Sequence, residues 1–555
     1  AEAMNGRFSP IPWMFAAALM GFAAPVRAAD GAAVSRVLKP ARTIAIQHDG
    51  RVKPLESFAR EALLLIADAP RWKREDPLVT VLSIAANPSA AADKEWIALP
   101  FRPLRESLGF DAKRSHVSYS DLVGGRQLMR MLPQIVEKQR RREEMTIEEN
   151  EALDLYRRFV AVNDLMRGNF PIVPPVPGDA EGLWQPPGGS TGYEPERQML
   201  LRKGWEDLLQ AVRSGDEERA GLSADRLGKE LRELSPAVYP PPWRLRLEVA
   251  YHQVAPFVWA RSLYGAAFLA FLVGLLRRQA AWEGVGRLFL KGAFGLHLLG
   301  IGTRVILAGR PPVSNFYETM LWLPFVAVAL AFWFERLYRT GFFALSAAFL
   351  GALVLLLADR LPLDPSISPI IAVLRSNLWL TIHVLTIVAS YGALTLATVL
   401  AHLVGILHLS TAGKGASHPA LPGLGLALYR TLQVGVVLLA AGIMLGGVWG
   451  NASWGRYWGW DPKETWALIT LLWFLAVLHG RFAGWLKPAG VAAATVAGFF
   501  LLLMTYYGVS FYMVGLHSYA GGHAKPVPPL LIAYAVAELA FIVWLIAGLL
   551  RPARR

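Results

Sequence analysis

The residues best suited to chemistry stand together in one stretch, WGNASWGRYWGWDPKETWAL, from Trp449 to Leu468. Five tryptophans (Trp449, Trp454, Trp458, Trp460 and Trp466) and Tyr457 are interleaved with Gly450, Gly455 and Gly459, and Asp461-Pro462-Lys463-Glu464 closes the motif. Two readings fit. Indole rings sit well at the level of lipid headgroups, so the stretch could be an interfacial aromatic belt. A belt leaves the glycines and the charged ending without a role, whereas glycines opening the backbone beside large flat rings suit a shelf for a planar apolar ligand. The chain has no cysteine. Disulfides, iron–sulfur sites and thiolate nucleophiles are therefore excluded, and any metal falls to His, Met, Tyr or carboxylates.

Within this stretch, WGRYWGWDPKETWAL closely resembles the tryptophan-rich "WWD" signature of the haem-handling family that includes the CcsA-type subunit of system II cytochrome c synthases. The match is long and contains rare residues. Further matching stretches extend the resemblance over residues 286 to 550.

The elements that must position this stretch follow from composition. Of 555 residues, 54% are hydrophobic and 18% charged, too little charge to cover a soluble protein of this size. A multi-span membrane protein is the class that fits. The net charge of +14 lies largely beside apolar spans, so topology explains it and no nucleic-acid partner is expected. Residues 1–29 carry Met4, Arg7, an apolar run from Ile11 to Ala24 and a small-residue end, the layout of a secretory signal peptide. Residues 30–243 contain no span-length apolar run and read as a mostly helical extracytoplasmic soluble domain. There IQHDGRVKPLESFAREALLLI reads as a turn at Asp49-Gly50 followed by an amphipathic helix. Leu132 to Val162 and Glu194 to Leu234 are helical by periodicity, and SPAVYPPP (Ser235 to Pro242) is a stiff linker.

Residues 244–555 hold nine candidate spans, near 258–276, 287–308, 317–336, 341–358, 378–409, 430–449, 464–484, 489–513 and 529–550. The expected fold is an all-α polytopic membrane protein carrying a helical N-terminal domain. Arg277, Arg278 and Arg287, then Arg336 and Arg339, Lys414 and Arg430, Arg481 and Lys487, and finally Arg551, Arg554 and Arg555 gather at alternate span ends. The positive-inside rule makes those ends cytoplasmic. In a bacterial inner membrane the soluble domain and the tryptophan loop then share the periplasmic face.

That topology sorts the histidines by depth, and a polar side chain inside a membrane is costly enough to suggest a function. His383, at the outer end of the fifth segment, and His517, just past the outer end of the eighth, flank the tryptophan loop. Two neutral imidazoles above and below a porphyrin plane are the simplest way for a cysteine-free protein to hold haem iron. The blander reading is two interfacial histidines that share no ligand. Both contexts also resemble those of the family's external haem ligands, and LHSYA matches its C-terminal signature. His297, mid-span, and His479, toward the inner side of the seventh span, could ligate a second haem. His479 resembles the family's internal ligand, while a hydrogen-bonded core histidine stays open for His297. His48 and His116 read as surface residues, and His252, His402, His408, His418 and His523 as interface or loop residues. GRPPVSNFYETMLWL (Gly309 to Leu323) resembles a further family signature. Arg310, Arg375 and Arg456 are the outward cations, with Arg304 deeper, that a haem propionate or a lipid headgroup could engage.

The resemblance implies haem delivery and covalent attachment in cytochrome c maturation. Haem b, held by two histidines, would move from His479 and His297 to His383 and His517, bounded by Trp449 and Tyr457. Trp454, Trp458, Trp460 and Asp461 would form the platform on which attachment occurs. An apocytochrome CxxCH segment would meet haem there and form two thioethers, a haem lyase activity based on positioning. A CcsB-like membrane subunit and a reductant or thiol system are the further expected partners. Other classes stay open: a haem exporter or chaperone without ligase activity, a dihaem quinol oxidoreductase, or a docking platform in a respiratory assembly.

Overall fold

The computed structural model describes residues 38–141, 143–179, 181–361, 363–369, 377–411, 418–517 and 527–550. The signal-like segment, Arg375, Lys414, His523 and the three C-terminal arginines lie outside the described residues. The chain divides between Val254 and Ala255 into two compact units.

In the N-terminal unit, Ala45–His48 and Arg51–Pro54 form an antiparallel hairpin, with Ala45 opposite Pro54 and His48 opposite Arg51. Asp49 and Gly50 both take positive φ, 49° and 71°, as a two-residue hairpin turn that matches strand twist requires. The helix Leu55–Ala67 follows and buries Leu55, Ala59, Leu63 and Ile66. Each long periodic segment is split in two by a local stop. Gln127–Arg140 is separated from Ile147–Met166 by a capping box between Thr146 and Glu149. Pro195–Ser214 is separated from Glu217–Leu234 by Gly215 at φ 70°. These helices enclose one core that includes Leu82, Phe170, Trp205 and Leu227. Buried charges are matched: Arg42 pairs with Glu56 and, at 2.6 Å, with Asp76, and Arg51 pairs with Glu248 at 2.6 Å. Glu248 belongs to the helix Pro242–Val254. That helix stands on the membrane side of the boundary read from the sequence, yet it groups with the N-terminal unit.

The second unit is a helical bundle. Its helices are α1 (Pro256–Arg277), α2 (Ala280–Ala308), α3 (Phe316–Tyr338), α4 (Phe342–Arg360), α5 (Asn377–Thr411), α6 (Leu421–Trp454), α7 (Pro462–Phe482), α8 (Pro488–Tyr512) and α9 (Pro529–Leu549). Nine helices among the described residues are long and apolar enough to cross a bilayer, and the protein is a multi-pass membrane protein. At 35 residues α5 is the longest, as the sequence anticipates, and it packs against α3, α4, α6, α8 and α9. Hydrocarbon gives helices no hydrophobic reason to associate, so close approach through small residues carries much of the packing. A Cβ on Gly442 of α6 would lie 2.6 Å from Ile387 of α5, and one on Gly392 of α5 would lie 2.6 Å from the Leu323 carbonyl of α3.

Two polar devices brace the bundle. Glu318 of α3 is fully buried and receives Arg304 of α2 and Arg310, each at 2.9 Å. The same guanidiniums donate to the carbonyls of Pro365, Ser366 and Ser368, tying that loop to α2 and α3. Between α5 and α9, His402 Nε2 meets Glu538 at 2.9 Å and its Nδ1 meets the Thr398 carbonyl at 2.8 Å. His402 is thus half of an intramembrane pair and more than an interface residue.

Candidate functional site

The tryptophan stretch is half helix and half turn. α6 continues through Trp449 to Trp454 and stops at Gly455, whose φ of 71° supplies the left-handed C-terminal position and whose N–H bonds the Asn451 carbonyl at 2.9 Å. α7 then opens on a capping box, with Pro462 in its first turn. The Asp461 carboxylate accepts the Lys463 N–H at 2.9 Å, and the Glu464 carboxylate accepts the N–H of Asp461 at 3.2 Å and of Gly459 at 2.8 Å. The short bridge between the two helices carries Tyr457, Trp458 and Trp460.

Asp461 does more than cap. It is buried, and besides Lys463 it accepts the Leu516 N–H at 2.6 Å and His517 Nδ1 at 2.9 Å. Gly515 permits this approach, since a Cβ there would lie 2.5 Å from the Asp461 carboxylate. Burial works to raise the pKa of this carboxyl, but the bonds from His517, Lys463 and Leu516 outweigh it and bring it down to about 2. A charged Asp461 fixes the proton of His517 on Nδ1 and places the ring lone pair on Nε2, the arrangement usual behind a metal-binding imidazole. Asp461 therefore stands behind His517 and is not among the residues that line the cavity described below.

His383 reaches the same state by another route. Its Nδ1 donates to the Gly442 carbonyl of α6 at 2.9 Å, again leaving the lone pair on Nε2. Gly446 makes room, because a Cβ there would lie 2.8 Å from the ring. Trp449, only 3% exposed, lies parallel to His383 at 6.1 Å and 10°, and its centroid is 5.8 Å from that of His517. Trp454 meets His517 edge to face at 5.0 Å. One indole thus packs against both imidazoles. Its Nε1–H is buried without a hydrogen-bond partner among the described residues.

Both histidines border one cavity of about 180 Å³ that opens at the surface. Tyr457 and Trp458 form part of its lining, together with Phe316, Thr319, Tyr391, Lys463, Glu464, Tyr506 and Ser510. The platform is smaller than five indoles. Trp449 and Trp454 back the histidines, Trp458 and Tyr457 face the cavity, and Trp460 is 69% exposed at φ 58°, edge-on to Trp458 at 5.7 Å.

Among the described residues, His297 and His479 share no hydrogen bond or ring contact. His297 is fully buried, with Nε2 bonded to the Leu321 carbonyl at 3.0 Å, Nδ1 to the Tyr264 hydroxyl at 3.3 Å, and Phe257 and Phe325 around the ring. With both nitrogens engaged it is the hydrogen-bonded core histidine left open by the sequence. His479 is exposed on α7, with Nδ1 to the Leu475 carbonyl at 2.8 Å. Arg310 does not line the cavity either, because Glu318 and backbone carbonyls take its guanidinium.

Sequence reading passed over Lys463, Tyr506 and Ser510. A π turn at Met504–Gly508 interrupts α8 there, and such turns often mark functional sites. Tyr506 stacks on Phe316 at 4.6 Å and bonds the Thr319 hydroxyl at 2.8 Å. The available signal was the charge of Lys463 at the start of an apolar span.

The family described as Cytochrome C assembly protein matches residues 313–517, which contain His383, the tryptophan loop and His517. Protein NrfI of Wolinella succinogenes is 29% identical over 505 residues, 86% of this chain and 54% of NrfI, so the chain spans about half the length of that relative. Cytochrome c biogenesis protein CcsA of Synechococcus sp. (strain CC9902) is 34% identical over 303 residues, 48% of this chain and 98% of the relative. CcsA of Guillardia theta is 36% identical over 247 residues, 40% of this chain and 80% of the relative. Similarity running nearly end to end through a CcsA places the chain in the CcsA-type cytochrome c biogenesis family.

Proposed function

We propose that the protein binds haem b between His383 and His517 and presents it for covalent attachment to an apocytochrome c. The observation that carries this reading is the pair of imidazoles on one cavity, each with its proton held on Nδ1 by an acceptor behind it and Trp449 packed against both. Neutral imidazole nitrogens suit haem iron, and parallel or edge-on indoles suit a porphyrin face. Pockets that engulf a small molecule measure about 300–1,000 Å³. At about 180 Å³ this cavity takes only part of a macrocycle, so one edge stays at the mouth.

That edge is where an acceptor must arrive. Each thiol of a CxxCH segment adds across one vinyl group, sulfur to one carbon and proton to its neighbour, with no leaving group and no enzyme nucleophile. The protein's part is to hold haem and thiols in register, which turns a rare encounter into a near-unimolecular step. We place this site and the N-terminal domain on the periplasmic side, from the charges at the span ends. A reductant for haem and a CcsB-like membrane subunit complete the assembly. His479 contributes at most an entry contact, without His297 as its partner.

The test is co-expression with a CxxCH acceptor in a host lacking its own maturation system. Haem-stained acceptor is the expected result. Haem-loaded protein without stained acceptor would make the chain a carrier, and absence of haem from both would end the reading.

A further inference from the structure

Haem carries two carboxylates, and an apolar cavity that admits one edge of the macrocycle must either leave them in water or meet them with a cation. Among the described residues, no arginine lines the cavity. Arg304 and Arg310 are bound to Glu318 and to backbone carbonyls away from the cavity. The Arg456 guanidinium lies across Gly459. Among the described residues lining the cavity, Lys463 is the one Lys or Arg.

Its surroundings set it apart from an ordinary structural lysine. Nζ donates to the Ser510 hydroxyl at 2.7 Å and to the Tyr506 carbonyl at 3.4 Å, both uncharged. Two carboxylates stand nearby, Asp461 and, on the cavity lining itself, Glu464, but neither bonds Nζ: Asp461 holds His517 and two backbone N–H groups, and Glu464 the N–H groups of Gly459 and Asp461. Tyr506 lies within the π turn of α8 and Ser510 in the helical turn that follows it. An ammonium held by neutral acceptors on the wall of the cavity that also bears His383 and His517 is arranged for an anion that arrives with the ligand.

We propose that Lys463 is the carboxylate receptor of this site: it forms an ion pair with a porphyrin propionate and so determines which edge of the macrocycle enters the cavity and which stays at the mouth. This rests on the haem reading above and deepens it, because attachment requires the vinyl edge to face the acceptor. Ser510 and Tyr506 are positioning residues for the ammonium.

The test compares two probes, iron protoporphyrin IX and its dimethyl ester, titrated spectroscopically into the purified full chain in detergent. The comparison covers the wild type, Lys463→Met and Lys463→Arg. A charge-assisted hydrogen bond contributes enough for about a tenfold preference. The wild type should therefore favour the free acid over the ester by about tenfold, after correction for partition of each probe into protein-free micelles. Lys463→Met should lose that preference by weakening the acid alone, and Lys463→Arg should keep most of it. Equal binding of acid and ester by the wild type overturns the proposal while leaving haem binding intact, and this arm needs no variant to fold. Parallel weakening of both probes in Lys463→Met also overturns it and makes the lysine structural. Failure of both probes to bind the wild type removes the haem reading and this proposal together.

Discussion

At the scale of single residues, the chemistry rests on how two imidazoles are backed. His383 leans on a main-chain carbonyl and His517 on a buried carboxylate, so they should respond differently to substitution. Asp461→Asn keeps an acceptor for the start of α7 but removes the charge behind His517. Loss of such an outer partner typically costs about 10–100-fold in metal affinity. We expect a haem affinity loss in that range with the helical content unchanged, read by titration and circular dichroism; unchanged affinity would show that the carboxylate only caps the helix. The pH dependence follows from the same contact. The Asp461 pKa is held at about 2 against an ordinary 3.8, so its contribution to stability is complete above about pH 4 and is lost as pH falls toward 2. Melting curves of the wild type and Asp461→Asn in detergent should accordingly differ at pH 7 and converge toward pH 2. The histidines and the tryptophan loop were legible as residue types, but their backing was not. Asp461 and His517 are separated by 56 positions, and no local pattern announces such a bond. His297 likewise finds Tyr264, 33 positions away, which satisfies a ring that hydropathy alone left ambiguous.

At the scale of elements, helix spacing decides whether the site forms. Gly446 lets α5 and α6 close around His383, and Gly446→Ala should displace that ring while the bundle persists, because a single methyl can be absorbed by side-chain movement. Haem loading should fall with little change in melting temperature; a large drop in melting temperature would mean the glycine mainly serves packing. The Glu318 clamp is the opposite case. Removing it leaves Arg304 and Arg310 buried without their counter-charge, which costs about 3–5 kcal/mol. Glu318→Ala should therefore lower the melting temperature markedly whether or not haem is present, and an unaltered melting curve would contradict the clamp. The spans themselves were readable because about 20 apolar residues suffice to mark a helix that crosses a bilayer. Their ends were less so: α6 runs on through Trp454 where the sequence suggested a loop, since glycines within a membrane helix do not end it unless one adopts positive φ, as Gly455 does.

At the scale of the whole molecule, the account requires the tryptophan bridge to face the periplasm. The absence of cysteine makes this simple to check, because any introduced thiol is the only one present. Tyr457→Cys, at a position 64% exposed, should react in whole cells with a membrane-impermeant maleimide, whereas Trp485→Cys, at a position 83% exposed between α7 and α8, should react only after the membrane is opened. The reverse pattern would invert the topology and place the cavity on the cytoplasmic side. Composition indicated the membrane class and the nine spans. It could not indicate which helices border the cavity, because that depends on the π turn in α8 and on close contacts between helices distant in sequence.

The most direct measurement is the electron paramagnetic resonance spectrum of ferric haem bound to the purified chain and to His383→Ala and His517→Ala. The account predicts a low-spin bis-imidazole signal in the wild type, converted to high-spin or lost in each variant. A low-spin bis-imidazole signal that survives both single substitutions would contradict it.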